Sequence, residues 1–221
     1  MCFSATASFI SGSVLLVVGS VTLSKVKTAS QLPFALIPIL FALQQFFEGI
    51  VWLSLTHSDF YEWNRFGTIA FLILAQVLWP VYVPFSIFKF EHKKSRKNIF
   101  LVLTLAGLAL SVYLATCMVL YPVSSEIGNH HIHYELAFPN DRLTIIGIGY
   151  VILTVIPPFI SSARKMLLIG SINLLSFVVT YFLYDEYVIS LWCFFAALIS
   201  VITFFIVKED QAEVKVKKHR S

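Results

Sequence analysis

Seven stretches of mostly apolar residues, each about 17 to 25 residues long, make up most of this chain. A helix needs roughly 20 apolar residues to cross the hydrocarbon core of a bilayer, so each stretch can span a membrane. The composition agrees, because 58% of the 221 residues are hydrophobic and only 13% are charged. Soluble domains carry about 25% charged residues. The sequence therefore predicts an all-α integral membrane protein, a bundle of seven transmembrane helices. The predicted spans are residues 8–24, 31–55, 67–89, 98–121, 142–160, 165–184 and 187–207.

The orientation of the bundle follows from its basic residues. The stretches are continuously apolar rather than alternating, which favours helices over a transmembrane barrel. Cytoplasmic loops carry an excess of Lys and Arg. Of the 16 basic residues, all but Arg65 and Arg142 fall in the loops after spans one, three and five or in the tail. We predict an amino terminus outside, a carboxyl terminus in the cytoplasm, and a multi-pass protein of the cell membrane.

Residues 1–207 are predicted to form one membrane domain, and a short tail follows it. No basic residue precedes the first span in residues 1–8, so we interpret this span as a retained helix rather than a signal peptide. The tail, residues 208–221, mixes Lys, Glu and Asp without apolar periodicity. We expect the tail to be disordered or to lie near anionic headgroups.

The residues that the chain lacks exclude several classes of function. Three cysteines without a paired motif argue against a disulfide scaffold, and a net charge of +4 is too small and dispersed for nucleic-acid binding. No histidine lies within a span, which argues against a membrane zinc hydrolase. The seventh span has no lysine for a retinal Schiff base. Serine-hydrolase and phosphate-loop motifs are absent, and the sequence identifies no cofactor.

Glu48 is the one charged residue in the interior of a predicted span. Burying a charged carboxylate in a bilayer is costly, so the group must be protonated, paired or in contact with a wet cavity. Gln44 and Trp52 lie one helical turn before and after Glu48, and Gln45 lies beside them. Further polar and aromatic residues reach a comparable depth from spans three and seven, namely Gln76, Trp79, Trp192 and Cys193.

Together these residues predict an outward-facing polar pocket in which Glu48 supplies charge or exchanges a proton. The three glutamines would orient a ligand, and the three tryptophans would form the walls. Two plainer interpretations stay open. Glu48 could be neutral and hydrogen-bond Gln76 or a hydroxyl as a contact between helices, and Trp79 and Trp192 could be ordinary core aromatics.

Prolines predict irregular helices in two spans. Pro80 and Pro84 each remove a backbone donor from the third span and leave carbonyls free one turn earlier. We expect a kink there. The free carbonyls could bind a cation or accept hydrogen bonds from Ser86 and neighbouring hydroxyls, and irregular packing alone is the plainer outcome. Pro157 and Pro158 predict a bend or a stop in the fifth span. Small residues four apart predict close helix contacts: Ser8 with Gly12, Gly107 with Ser111, and Ala196 with Ser200.

Weak metal candidates occur in the longest outer loop, residues 122–141. Histidines two residues apart in an extended segment can share a Zn²⁺ or Cu²⁺ ion with a carboxylate such as Glu135, or can sense pH. The plainer interpretation is a solvated polar loop. The histidines are His130, His131 and His133, and the thiols that could hold Cu(I), or simply fill apolar space, are Cys2, Cys117 and Cys193.

The opening MCFSATASF, together with Gln44-Gln45, Glu48-Gly49 and Trp52, resembles a family of small polytopic membrane proteins of unknown function. The likeness extends over most of the chain. The resemblance implies an integral membrane protein, and it implies no particular chemistry.

We therefore expect a membrane protein that binds or translocates a small molecule, a cation or a proton at Glu48. Whether the protein is an enzyme is left open, and a non-enzymatic role is favoured. One rival is a lipid-modifying enzyme with Glu48 as general acid or base and Cys2, Ser4 or Cys193 as nucleophile. The other is a noncatalytic scaffold. The expected partners are the bilayer and a small-molecule or ion ligand but no nucleic acid, and homo-oligomer formation stays open.

Overall fold

The computed structural model describes residues 4–128, 131–138, 143–183 and 195–219, and these are mostly helical. Ser4 begins the first helix as its N-cap, with its Oγ accepting a hydrogen bond from the backbone N–H of Ala7. The helices are α1 (Ala5–Ser24), α2 (Leu32–Ala35), α3 (Ile37–Thr56), α4 (Asn64–Leu72), α5 (Trp79–Phe90), α6 (Lys94–Leu120), α7 (Leu143–Val155), α8 (Pro157–Ile160), α9 (Met166–Leu183) and α10 (Ala196–His219). A 3-10 helix (Ser58–Trp63) precedes α4, and a π-helical segment (Ile73–Leu78) joins α4 to α5.

Four helical segments of the described chain are long and apolar enough to cross a membrane. They are Ala5–Ser24, Leu32–Thr56, Ser58–Phe90 and Lys94–Leu120, and they coincide with predicted spans one to four. Two shorter apolar helices, Ile145–Ile160 and Met166–Val179, overlap spans five and six. The predicted seventh span, residues 187–207, starts outside the described residues. Residues 196–207 of this span lie in α10.

The carboxyl-terminal helix α10 differs from the predicted irregular tail. Its backbone stays helical to His219, well beyond residue 207. Residues 208–218 are rich in Lys, Glu, Gln and Ala, which are good helix formers, so the helix can continue after its apolar part ends. An ion pair between Lys165 Nζ and Glu209 Oε1, 2.8 Å apart, also connects this part to the residue that precedes α9. The expectation of disorder is therefore wrong for residues 208–219.

The third predicted span is irregular at the turn that precedes Pro80. Pro80 has no N–H, and the helix widens into the π-helical segment just before it. Hydroxyls from other helices occupy two carbonyls of this segment. Tyr150 donates to the oxygen of Ala75 at 2.5 Å, and Ser111 donates to that of Val77 at 2.6 Å. The sequence left open whether a cation or hydroxyl groups would bind the carbonyls of this span. In the structure, hydroxyl groups donate to these two carbonyls.

Small residues bring two pairs of helices close together, as their spacing predicted. A Cβ atom on Gly107 of α6 would lie 2.1 Å from the carbonyl oxygen of Pro80 on α5, and one on Gly12 of α1 would lie 2.9 Å from the ring of Phe46 on α3. Gly107 and Ser111 therefore both contact the π-helical segment and the start of α5. Similarly, the bend predicted at Pro157 is confirmed, since α7 ends at Val155 and α8 begins at Pro157.

The predicted solvated loop is instead a β-hairpin that packs on the bundle. Strands β1 (Val123–Gly128) and β2 (His131–Leu136) pair antiparallel. Ile132 is completely buried, and the ring of Tyr134 stacks on Phe71 with the ring centres 4.6 Å apart. These two apolar side chains on β2 hold the segment against α4, so the prediction of a solvated loop, and of an all-α fold, is wrong here.

The basic loops meet at the opposite end of the bundle from the hairpin. Ser125 of β1 is hydrogen-bonded to Asn64 and Thr68 at the start of α4. At the other end, Glu91 contacts Ser162, which joins the loop after α5 to the loop before α9. The described part of the bundle therefore has a hairpin end, with the start of α4, and a basic end, with the loops at Glu91 and Ser162.

Candidate functional site

An elongated cavity of about 990 Å³ lies inside the bundle. Its walls come from helices α2, α3 and α5 to α10 and from the π-helical segment, and Leu136 and Phe138 at the end of the hairpin also line it. None of the described lining residues carries a charge. The cavity is at the upper end of the volume range of small-molecule sites, which are mostly apolar with a few polar groups.

Three of the predicted site residues line this cavity: Gln44, Gln76 and Trp79. Trp79 donates from its Nε1 to Oε1 of Gln44 at 2.8 Å, and its ring stacks on Phe41. Gln76 is half-buried, and its amide has no hydrogen-bond partner among the described residues. Gln76 therefore offers a donor and an acceptor to whatever fills the cavity.

Glu48 lies elsewhere. Its side chain is completely buried, and it is not among the described residues that line the cavity. Gln45 donates from Nε2 to Oε2 of Glu48 at 3.4 Å. The structure shows no hydrogen bond between Glu48 and Gln76, and it does not place Glu48 in the wall of the cavity. The predicted pocket is thus divided into a cavity with Gln44, Gln76 and Trp79 and a separate buried cluster with Glu48.

The cluster around Glu48 contains polar atoms that lack hydrogen-bond partners. These atoms are Ser8 Oγ, Gln45 Oε1 and Trp52 Nε1, all buried and all without a partner in the described structure. Ser8 and Glu48 lie at the same depth of the bundle. Their chain neighbours Phe9 and Gly49 are in contact, since a Cβ atom on Gly49 would lie 2.9 Å from the Phe9 ring. Buried polar groups of native proteins nearly always have a partner, so such a set indicates space for water or for a polar ligand group.

Other predicted residues have plainer roles or lie outside the described residues. Ser4 is the exposed N-cap of α1, and Cys117 is a buried free thiol packed near Phe138. His131 is buried in β2, and the described residues contain no group of three or more His, Cys, Asp or Glu suited to a metal ion. Four of the predicted residues lie outside the described ranges, namely Cys2, His130, Trp192 and Cys193.

Glu91 is a second buried carboxylate, which the sequence did not single out. It follows the last residue of α5 and accepts hydrogen bonds from the backbone N–H groups of Lys93 and Ser162, at 2.8 and 2.7 Å, and from the hydroxyls of Ser161 and Ser162. Burial raises the pKa of Glu91, but these hydrogen bonds outweigh it and hold the pKa below its usual value. Glu91 therefore fastens two loops at the basic end.

Tyr150 and Asn173 are cavity residues whose contacts could not be read from the sequence. Tyr150 reaches the backbone of Ala75, and Asn173 donates from Nδ2 to the carbonyl oxygen of Thr154 at 3.0 Å. The only feature of the sequence that could have pointed to Tyr150 is its polar hydroxyl within an apolar span.

Taken together, the apolar exterior, the four segments long enough to span a membrane and the polar groups inside the bundle define a helical protein of the membrane type. A model for a family of unknown function, DUF6629, matches residues 1–218. The chain belongs to this family. No curated protein and no solved structure matches the chain.

Proposed function

We propose that this protein resides in the cell membrane and binds a neutral, mostly apolar small molecule in its interior cavity. In the same proposal the chain crosses the bilayer seven times, with its amino terminus outside. The observation that carries the binding role is the Gln76 amide, which lines an otherwise largely apolar cavity without a hydrogen-bond partner in the described structure. The absence of charge among the described lining residues favours a neutral ligand over a cation.

Gly147 provides a way to test this role without disturbing the helix packing. It lies on the same face of α7 as Tyr150 and Thr154, both of which hydrogen-bond towards the interior. A Cβ at Gly147 would meet nothing within 4 Å. Because Gly147 also lines the cavity, a large side chain at this position has open space at the cavity wall and collides with no neighbour.

Native mass spectrometry of the purified protein checks the proposal. We expect wild type and Gly147→Ala to retain a bound small molecule, and Gly147→Phe to lose it because the ring occupies the cavity. Gln76→Leu, which keeps the side-chain size and removes the amide, should weaken retention about fivefold to tenfold, since one hydrogen bond is worth about 1 kcal/mol. An empty wild type, or equal retention by Gly147→Phe, contradicts the proposal.

A second candidate function is proton binding at Glu48, and the polar atoms without partners around it support this role. Water beside the carboxyl would connect it to an exchangeable proton. Infrared spectroscopy can follow the carboxyl band across a pH series. We expect a titrating band that Glu48→Gln removes and the exposed-site control Glu62→Gln leaves in place. A spectrum in which Glu48→Gln removes no titrating band argues for a purely structural role.

A further inference from the structure

The cavity has an opening beside α7. Ile148 and Ile152 of α7 line the cavity and are nevertheless 56% and 45% exposed. Other described lining residues are buried, such as Trp79 on α5 and Ile199 on α10, each 6% exposed. Among the described lining residues, those of α7 therefore offer a route between the cavity and the outside.

The rim of this opening is apolar. Ile145, Ile148 and Ile152 follow the spacing of one helix face, and Ile145 is 73% exposed. No charged residue occurs anywhere in α7. An exposed apolar stripe of this kind suits acyl chains and not water. The opening thus faces lipid in a bundle that spans the membrane.

The packing of α7 is loose next to the opening. A Cβ on Gly147 would have no neighbour within 4 Å, and one on Gly149 would meet only Leu110, at 3.8 Å. The helix is held instead by the hydrogen bond from Tyr150 to Ala75 and by that from Asn173 to Thr154. Space for a chain therefore lies directly against the middle of α7.

Gln76 differs from the other polar side chains that line this part of the cavity, because their polar groups already have partners. Ser86 donates to the carbonyl oxygen of Val83, Thr154 donates to that of Tyr150, and Asn173 donates to that of Thr154. Gln76 lies nearest the hairpin end, and Val83 and Ile87 follow it along the same wall towards the basic end. At 1.5 Å per residue the path from Gln76 to Ile87 is about 16 Å long. The cavity thus offers the amide of Gln76 beside a channel whose described lining is mostly apolar and carries no charge.

From these features, and resting on the proposed binding function, we propose that the ligand is a neutral single-chain amphiphile that enters from the bilayer past α7. Its polar group would hydrogen-bond Gln76, and its chain would extend along Val83 and Ile87. A monoacylglycerol has this chemistry. A fatty acid has the same chain with a carboxylate, which would be left in the cavity without a counter-charge among the described lining residues.

The test uses full-length protein in phosphatidylcholine nanodiscs that contain a monoacylglycerol with a photoreactive group at the end of its chain. We expect crosslinks on the part of α5 around Val83 and Ile87. Unlabelled monoacylglycerol should compete, whereas glycerol and the fatty acid of equal chain length should not. Crosslinks spread evenly over lipid-facing helices, or competition by glycerol, would overturn the proposal.

The route is tested separately at the rim. Ile148→Lys places a charge across the opening, and we expect it to slow crosslinking about tenfold or more. Val112→Lys is a matched control, because Val112 on α6 is 58% exposed and does not line the cavity. An unchanged rate in Ile148→Lys overturns entry past α7. If wild type retains a different molecule that Gly147→Phe loses, only the ligand class is wrong; if wild type retains nothing, the binding function fails as well.

Discussion

Gly107 and Gly147 occupy opposite packing environments, although both lie inside helices. The Cβ of an alanine at position 107 would be 2.1 Å from the Pro80 oxygen, and that of an alanine at position 147 would have no neighbour within 4 Å. The sequence predicted the close contact at Gly107 from its four-residue spacing to Ser111. It could not distinguish Gly147, because the empty space there depends on helices that are distant in the sequence.

Alanine substitutions at these two glycines should change stability in opposite directions. We expect Gly107→Ala to lower the free energy of unfolding by about 1–3 kcal/mol or more, because the backbone of α5 must shift. We expect Gly147→Ala to raise it by about 0.5–1 kcal/mol, because alanine favours the helix and meets no obstacle. Thermal unfolding in one detergent measures both. A stability loss in Gly147→Ala equal to that in Gly107→Ala would contradict the open space beside α7.

For single residues, the burial of a carboxylate was easier to predict from the sequence than its hydrogen-bond partners. Glu48 was identified as an intramembrane carboxylate, and it is completely buried. Glu91 was not singled out from the sequence, because its partners Ser161 and Ser162 lie about 70 residues further along the chain. No local spacing rule joins such distant residues, so only the folded chain reveals this buried carboxylate.

Among the structural elements, the two loops held by Glu91 should be sensitive to acid. The pKa of Glu91 is lowered in the folded protein, so its carboxylate stabilises the fold at pH values above the pKa of the unfolded chain. This contribution is lost as the pH falls through the lowered pKa. We expect Glu91→Gln to cost about 1–3 kcal/mol near pH 7, because an amide nitrogen would face buried donors.

The measurement compares unfolding temperatures from pH 7 down to about pH 2, well below the ordinary glutamate pKa of 4.5. The difference between wild type and Glu91→Gln should shrink as the pH falls, because the wild-type carboxylate becomes protonated. Glu62→Gln, at an exposed glutamate, is the control and should behave like wild type throughout. A constant difference between Glu91→Gln and wild type would show that the charge of Glu91 does not contribute.

The sequence predicted the long helices but not the hairpin. Long apolar runs define helices locally, since every backbone group is paired within the segment. The hairpin was missed because its signal is two buried side chains, Ile132 and Tyr134, among polar neighbours. Its burial depends on Phe71, which is presented by α4. The helical tail was missed for the opposite reason, because helix propensity continues there without apolar periodicity.

For the whole molecule, the hairpin end and the basic end allow a test of how the protein is oriented in the membrane. In a cysteine-free background, we expect Glu62→Cys, next to the hairpin end, to react with a membrane-impermeant maleimide in intact cells. Lys93→Cys, at the basic end, should react only after permeabilisation, because the basic loops are predicted to be cytoplasmic. The reverse pattern of labelling would contradict the predicted topology.

The sequence alone determined that this chain is apolar enough for membrane-spanning helices and where prolines interrupt these helices. It also determined that Glu48 is a buried polar residue. These properties depend on composition and on residues within a few turns of one another. Only the tertiary structure decided that Gln44, Gln76 and Trp79 line a cavity while Glu48 does not. The physical reason is that a cavity is the space left between several helices, and its boundaries depend on how these helices pack.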